Sequence, residues 1–197
     1  MTSSPYHILQ GNLNHSARAQ DLLIQSMAER LTHLAVVAEP YRVPSVPDWA
    51  GDIDGLVAVV QRLLVVGVYF SPNRPLAEFE SFLDELGQVV GRSRSGRALV
   101  FGDLNAKSSA WGSPVTCPRG RETEEWLVGS GLVILNRGAE NTCVRRSGGS
   151  VVDVSFATPD VARRVCGWEV LVDVETLSDH RYIGFRVAAA PEARAGP

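Results

Sequence analysis

Asp103 and Asn105 stand two residues apart at the end of an apolar run, Leu99-Val100-Phe101-Gly102. In extended backbone, alternate side chains point the same way, so the carboxylate and the amide project together while Leu104 faces back. A carboxylate can take a proton or hold a cation. An amide can fix a phosphate oxygen or a water without adding charge. The same fragment also reads as an Asp–Asn turn leaving a strand, and the pair alone does not choose.

Repetition narrows the choice. Other apolar runs end in Asn12 and Asn14, in Glu39, in Tyr69 with Asn73, and a polar loop carries Asp179 with His180. Asp153 lies inside Val151-Val152-Asp153-Val154-Ser155-Phe156, where a buried carboxylate is costly without a partner and a histidine is a natural one. Each has a plainer reading. Asn12 and Asn14 can cap the following helix, Glu39 can be a solvated strand end, Tyr69 can be core, and Ser178-Asp179-His180 can be a turn. Together they suit one chemistry. Hydrolysis of a phosphodiester needs a divalent cation, a base for water and donors for phosphate oxygens. Carboxylates and amides are the ligand types that magnesium takes.

Apolar spacing supplies the elements that must position these groups. Strands are expected at Tyr6–Leu9, Leu34–Ala38, Gly55–Val60, Leu63–Phe70, Arg97–Phe101, Leu132–Leu135, Val151–Ala157, Trp168–Val174 and Tyr182–Ala188. Helices are expected at Ala17–Leu31, Pro75–Val90 and Arg121–Gly129. Loops Tyr41–Asp52, Ala106–Arg119 and Thr142–Ser150 join them. Strands that follow one another without a helix favour an α/β arrangement with mixed or antiparallel sheets over a doubly wound parallel sheet. Only Gln61 and Arg62 separate two apolar runs, with no primed-turn residue between them, which points to an unusual turn or, as the favoured reading, to a segment missing between Val60 and Leu63.

Composition sets limits. A chain of 197 residues suits one domain. No apolar run reaches the ~20 residues of a membrane span, so no membrane partner is expected. Met1-Thr2-Ser3-Ser4-Pro5 does not read as a signal peptide. Cys117, Cys143 and Cys166 lack metal-ligand spacing and read as reduced thiols. No glycine-rich phosphate loop follows the first strand, which argues against a dinucleotide or P-loop site. A net charge of −3 does not announce a nucleic-acid binder. The basic residues, however, are arginines apart from Lys107, and arginine suits bidentate phosphate contact.

In order, Asn12-Leu13-Asn14, Ala38-Glu39-Pro40, Val68-Tyr69-Phe70-Ser71-Pro72-Asn73, Gly102-Asp103-Leu104-Asn105-Ala106, Val152-Asp153-Val154 and Ser178-Asp179-His180 resemble the endonuclease/exonuclease/phosphatase superfamily, which includes DNase I and the apurinic/apyrimidinic (AP) endonucleases. Gly102–Ser113 and Asn141–Arg146 look closer to LINE-type non-LTR retrotransposons, and the likeness runs from Tyr6 to Val187. The resemblance implies a two-sheet mixed β-sandwich flanked by helices, DNase I-like or AP endonuclease-like. It implies Mg²⁺, with Mn²⁺ as the alternative, held by Glu39 with Asn12 and Asp179 nearby. Asp103, Asn105, Tyr69, His180 and its orienting partner Asp153 become the catalytic set. Asn14, Asn73, Lys107, Trp111, Thr142, Arg145 and Arg146 become DNA contacts. Trp111 also reads as a loop anchor, and Arg145 with Arg146 as a solvated hairpin tip. The chain departs from the family by one extra residue between Tyr69 and Pro72, and by Asn14 where repair enzymes often carry Asp.

The implied reaction is nicking of one strand of duplex DNA in the nucleus, after synthesis in the cytoplasm. The 3′-hydroxyl then primes reverse transcription at the target. An arthropod element inserting into ribosomal RNA genes is the expected source. The expected layout is an endonuclease domain over 1–188, with 189–197 beginning a linker to a reverse transcriptase. A repair-type AP endonuclease, another phosphodiesterase of the superfamily, and an inactive DNA-binding module are the alternatives.

Overall fold

Alternation along the strands builds the fold, because each strand has one face for a helix and one for the opposite sheet. The computed structural model describes residues 5–32, 34–43, 57–60, 63–92 and 96–188. In chain order these form β1 (Tyr6–Asn12), α1 (Ala17–Glu29), β2 (Leu34–Ala38), β3 (Val57–Val60), β4 (Leu63–Tyr69), α2 (Leu76–Gly91) and β5 (Ala98–Asp103). There follow a 3₁₀ turn at Ser109–Trp111, α3 (Pro118–Ser130), β6 (Val133–Ile134), the hairpin β7 (Cys143–Arg145) and β8 (Gly148–Ser150), β9 (Asp153–Ala157), α4 (Pro159–Ala162), β10 (Val165–Val170) and β11 (Ile183–Val187).

One sheet has the order β10-β11-β1-β2 and the other β3-β4-β5-β9-β6. Both are mixed. β1 runs parallel to β2, and β4 parallel to β5, while β1–β11 and β5–β9 are antiparallel. This is the expected two-sheet sandwich. Between the sheets lie Ile8, Val65, Leu99, Phe101, Ala157, Ile183 and Phe185. The outer face of the first sheet takes α1 through Leu9, Leu13, Ala19 and Leu23. The outer face of the second takes α2 and α3 through Val66, Val68, Phe79, Leu83, Val100, Leu127 and Phe156.

The inter-sheet face is laid out in rows fixed by register. Val65, Leu99 and Ala157 lie side by side, then Gly67, Phe101 and Ser155, then Tyr69, Asp103 and Asp153. β1 contributes Ile8, Gln10 and Asn12 to the facing side. The rows therefore change from apolar to polar toward one edge of the sandwich. Gly102 sits one step before the polar row with φ 152°, and a Cβ there would meet the Val68 carbonyl oxygen at 1.8 Å. Glycine alone lets β5 approach β4 this closely.

Several expected bounds move. β1 continues to Asn12 and β5 to Asp103, because ladder pairing carries the strands through their polar ends. β9 begins at Asp153, not Val151. Being antiparallel, its first residue lies at the edge where β5 ends, so Asp153 is a strand-end residue like the others. β10 spans Val165–Val170, not Trp168–Val174; Leu171–Val174 turns instead, closed by Val174 N–H donating to the Leu171 carbonyl at 3.3 Å. The expected loop Thr142–Ser150 contains the β7–β8 hairpin, and α4 was not expected at all. β3 and β4 pair directly with Val60 opposite Leu63, so pairing requires no intervening segment; Gln61 and Arg62 lie outside the described residues. Residues 44–52 of the expected loop and 189–197 of the expected linker also lie outside them. No described helix is long and apolar enough to cross a membrane.

Candidate active site

The polar row closes on itself through hydrogen bonds. Asn12 Nδ2 donates to Glu39 Oε2 at 2.9 Å and to Asp103 Oδ2 at 3.2 Å, so one amide ties both sheets together. Asn12 Oδ1 accepts from the Asn14 N–H at 2.8 Å. α1 is capped instead by Ser16, whose hydroxyl accepts from the Ala19 N–H at 3.2 Å. Asn12 is therefore not the helix cap.

Glu39 has φ 47° and Asn105 φ 48°. The left-handed region costs an L-residue roughly 1–2 kcal/mol, less for Asn than for Glu. At Glu39 two bonds offset that cost: the His15 N–H donates to its carbonyl at 2.9 Å, and its carboxylate accepts from Asn12 at 2.9 Å. The first, between neutral groups, is worth about 0.5–1.5 kcal/mol and the second, to a charged group, about 1.5–3 kcal/mol, so the strained conformation survives and aims the carboxylate inward. Asn105 is held by its own amide, which donates to the Phe70 carbonyl and to Asp103 Oδ2, both at 3.1 Å. Its N–H donates to Asp103 Oδ1 at 2.8 Å.

Tyr69 lies opposite Asp103 in the β4–β5 register. Its phenol is pushed up to about 12 by burial and then by its hydrogen bond to Glu39, so it stays neutral and donates to that carboxylate. The segment that carries the extra residue leaves Tyr69 paired with Asp103 in the ladder. Phe70 turns into the α2 core against Phe79 at 5.0 Å and Phe82 at 5.2 Å, and lends its carbonyl to Asn105.

His180 is buried between carboxylates. Nδ1 lies 2.8 Å from Asp153 Oδ2, and Nε2 lies 3.9 Å from both Asp103 Oδ2 and Asp179 Oδ1. Burial pulls the imidazole pKa down, but the Asp153 bond, followed by contacts to Cys143 and the Asp153 and Asp103 charges, raises it overall. Asp103 is raised too, first by burial and then by the neighbouring Asp153 charge. Two buried carboxylates at facing register positions resist ionising together. Asp103, Asp153 and His180 place one ligand atom each within 4.8 Å of one another. Carboxylate oxygens from Glu39 and Asp103, tied together by the Asn12 Nδ2–H group, form a donor set that suits a hard divalent cation, and such a cation would relieve that repulsion; the Asn12 oxygen itself is turned to the Asn14 N–H.

Most expected site residues meet here: Asn12, Glu39, Tyr69, Asp103, Asn105, Asp153 and His180. Asp179 stands on the other side of the histidine, in an ion pair with Arg145 at 2.5 Å, grouped with Cys143 rather than with Glu39. Asn14, Asn73 and Arg146 are exposed and Lys107 is half-buried, as surface contacts require. Trp111 and Thr142 are corrections. Trp111 is buried against Phe156 with rings 6.3 Å apart, because the 3₁₀ turn tucks it under β9; it anchors the loop and does not face a ligand. Thr142 is fully buried, and its hydroxyl accepts from the Val152 and Asp153 N–H groups at 3.1 Å, so it seats Asp153.

Three supporting residues were not among the expected site residues. Ser178 donates to the Asn12 carbonyl at 2.9 Å and accepts from the His180 N–H at 3.2 Å. Thr176 donates to the His180 carbonyl at 2.7 Å. Arg119 donates to the Ser71 and Pro72 carbonyls and lies over Phe70, which pins the loop after Tyr69. Ser178 lies within a recognised motif; nothing in the spacing singles out the other two.

A family model described as endonuclease-reverse transcriptase matches residues 63–184. Among solved structures, the chain is similar to the endonuclease domain of TRAS1, a telomere-specific non-LTR retrotransposon, at 30% identity and TM-score 0.79 over 93% of this chain and 98% of that one. It is similar in fold to the 3′-5′ exonuclease NExo from Neisseria meningitidis, at 16% identity and TM-score 0.67 over 92% of this chain and 99% of that one. It is likewise similar to an AP endonuclease from Archaeoglobus fulgidus, at 15% identity and TM-score 0.70 over 94% and 100%. No curated protein sequence matches the chain.

Proposed function

The chain belongs to the endonuclease-reverse transcriptase family and is a hydrolytic nuclease of the DNase I-like superfamily, and from that premise we propose that it nicks one strand of duplex DNA with Mg²⁺ to leave a 3′-hydroxyl and a 5′-phosphate. The observation that carries this reading is the buried Asp153–His180–Asp103 line, with Nδ1 2.8 Å from Asp153 and Nε2 3.9 Å from Asp103. A lone structural histidine needs one partner; this one is held from behind and presents its free nitrogen to the carboxylate beside Glu39 and Asn12.

In the proposed reaction a water oxygen forms a bond to phosphorus while the bond from phosphorus to the 3′ oxygen breaks, and the departing 3′ oxygen takes a proton from solvent to become the hydroxyl. Asp103 takes the proton of that water, oriented by the Asn105 N–H and the Asn12 amide on its oxygens. His180 is kept protonated by Asp153 and offers Nε2–H to a phosphate oxygen as negative charge grows there. Tyr69 and Asn105 flank that position. The Glu39 and Asp103 carboxylates, which Asn12 ties together, would hold a divalent cation, Mg²⁺ or Mn²⁺, and that cation would supply Lewis-acid stabilisation of the phosphate charge.

The 3′-hydroxyl suits priming of reverse transcription by a linked reverse transcriptase, with 189–197 as the start of the connection and the nucleus as the place of action. The family description pairs the two activities, which supports this order of events. A nicking assay tests the reading: supercoiled plasmid, with Mg²⁺ or with chelator, carrying either a ribosomal gene fragment or telomeric repeats. The telomeric arm is included because the TRAS1 relative is telomere-specific. An abasic duplex forms a third arm, and strong preference for it would replace the retrotransposon reading with a repair one.

A further inference from the structure

Beside the catalytic nitrogen of His180, across from Asp103, lies a second group of ligand atoms with a different chemistry. We propose that Cys143, Asp179 and His180 form a soft-metal site that takes a thiophilic divalent cation, Zn²⁺ or Cd²⁺, and that filling it stops nicking by tying up His180 Nε2.

Backbone pairing builds this site. The β7 strand forms an antiparallel bridge from Cys143 to His180, the Val144 N–H donates to the Asp179 carbonyl at 2.6 Å, and the Arg181 N–H donates to the Thr142 carbonyl at 2.7 Å. These bonds lock the hairpin against the Ser-Asp-His loop, so the three side chains meet by register. Cys143 Sγ is 3.8 Å from Asp179 Oδ2, and His180 Nε2 is 3.9 Å from Asp179 Oδ1. All three ligand atoms fall within 4.8 Å of one another. Bonds of about 2.3 Å to sulfur and about 2.0–2.1 Å to nitrogen or oxygen in a tetrahedron bring ligands to roughly 3.3–3.6 Å. Ligand atoms within 4.8 Å of one another reach that spacing with side-chain movements of about an ångström.

Two independent features point to a cation. Asp179 Oδ1 is buried and accepts no hydrogen bond, although it faces the imidazole. The opposite ring nitrogen is already held by a carboxylate, Asp153 at 2.8 Å, the arrangement that orients metal-binding histidines. The thiol selects the metal. Mg²⁺ takes hard oxygen ligands, whereas thiolate favours Zn²⁺ and its heavier relatives. Cys143 is 5% exposed and Asp179 has 22% of its side chain open, so entry is past Asp179. Arg145 sits there on Oδ2 and balances the carboxylate until a cation arrives. Binding releases both the thiol proton and the Nε2 proton of the imidazolium to solvent, so it strengthens as pH rises.

The inhibition rests on the proposed nuclease activity; the binding does not. Cd²⁺ is titrated into the metal-free full chain while the ultraviolet thiolate-to-cadmium charge-transfer band is followed. One equivalent is expected to saturate it. Cys143→Ser and Cys143→Ala are expected to abolish the band; Cys117→Ser and Cys166→Ser are expected to keep it. With excess Mg²⁺, Zn²⁺ or Cd²⁺ is expected to stop nicking, and Cys143→Ser to raise the inhibitory concentration by at least about tenfold. The nicking rate of Cys143→Ser in Mg²⁺ alone, with a hydroxyl in place of the thiol beside His180, is the reference from which its inhibitory concentration is read. A band that survives both Cys143 variants overturns the site, and equal inhibition of wild type and variant overturns the inhibitory role. A normal band in a chain that never nicks DNA sinks the nuclease reading and leaves the metal site standing.

Discussion

Two buried polar groups lie one row apart on the same strands, and they do opposite things. The inner group is neutral. Ser155 donates its hydroxyl to Gln10 Oε1 at 2.9 Å and accepts from Trp168 Nε1 at 3.1 Å, while Asn136 takes the Ser155 N–H at 2.8 Å and donates to the Asp153 carbonyl at 3.1 Å. All four side chains are satisfied. The outer group, two residues along each strand, is Asn12 in place of Gln10 and Asp153 in place of Ser155, with Asp103 in place of Phe101. It is charged, its Asp103 carboxyl is pushed up by burial and by Asp153, and its histidine is pushed up by Asp153 against the pull of burial. A satisfied neutral network fixes the register of the two sheets. A frustrated charged one costs stability and is kept for chemistry.

The contrast breaks most sharply by substitution at the outer row. His180→Ala and Asp103→Asn are expected to cut nicking by roughly 10²–10⁴-fold, the range for a positioned acid or base. Asp103→Asn is also expected to raise the melting temperature of the metal-free protein near neutral pH, because it removes a carboxylate that burial and Asp153 penalise. Nicking assays and calorimetry on the same preparations check both signs. If Asp103→Asn destabilised the chain as a core mutation does, the division between the rows would fail.

A second test uses pH. His180 and Asp103 are both raised in the folded state, so the folded chain holds protons that the unfolded chain has lost. Stability from His180 is complete below the unfolded value, ~6.5, and is lost as pH rises toward the folded one. The raised Asp103 acts in the same direction, from ~3.9 upward. Denaturant midpoints of the metal-free protein are therefore expected to fall as pH rises through and above neutrality. Asp153→Asn removes the main support of the raised histidine. It is expected to flatten that fall above about pH 7 and to move the alkaline limit of nicking to lower pH.

The inner row gives a smaller effect of the opposite kind. Ser155→Ala leaves Gln10 Oε1 and the Trp168 indole N–H without their partner, and is expected to cost about 1–3 kcal/mol in denaturant unfolding. Its rate of nicking at saturating DNA is expected to match the wild type. Smallest of all is Arg146→Ala at the tip of the β7–β8 hairpin. Stability is expected to change by less than about 0.5 kcal/mol. DNA affinity should drop across all sequences, with the salt dependence reduced by about one ion.

The two rows also differ in how legible they are in the sequence. The outer row announces itself, since a carboxylate or amide that ends an apolar run is conspicuous, and Asn12, Glu39 and Asp103 are found that way, with His180 found beside Asp179 in a polar loop. Asp153 is conspicuous for the wrong reason: it reads as mid-strand, and only the antiparallel pairing with β5 reveals it as an edge residue. The inner row is silent. Gln10 and Ser155 are ordinary polar residues in strands until two sheets from opposite ends of the chain are laid together. Trp111 and Thr142 mislead because their loops fold inward, a fact of tertiary packing that local pattern does not carry. β10 slips because Val170 runs straight into Leu171 and Val172, and an apolar run alone does not say which residues will pair.

The central claim is that the outer row is a phosphodiesterase centre that makes primer ends. The most direct measurement is the chemistry of the ends it leaves on supercoiled plasmid in Mg²⁺. Nicked circles that a DNA ligase reseals and a polymerase extends without prior treatment, together with no nicks from His180→Ala, are the expected result. Nicks bearing 3′-phosphate, or nicking that survives His180→Ala unchanged, would contradict it.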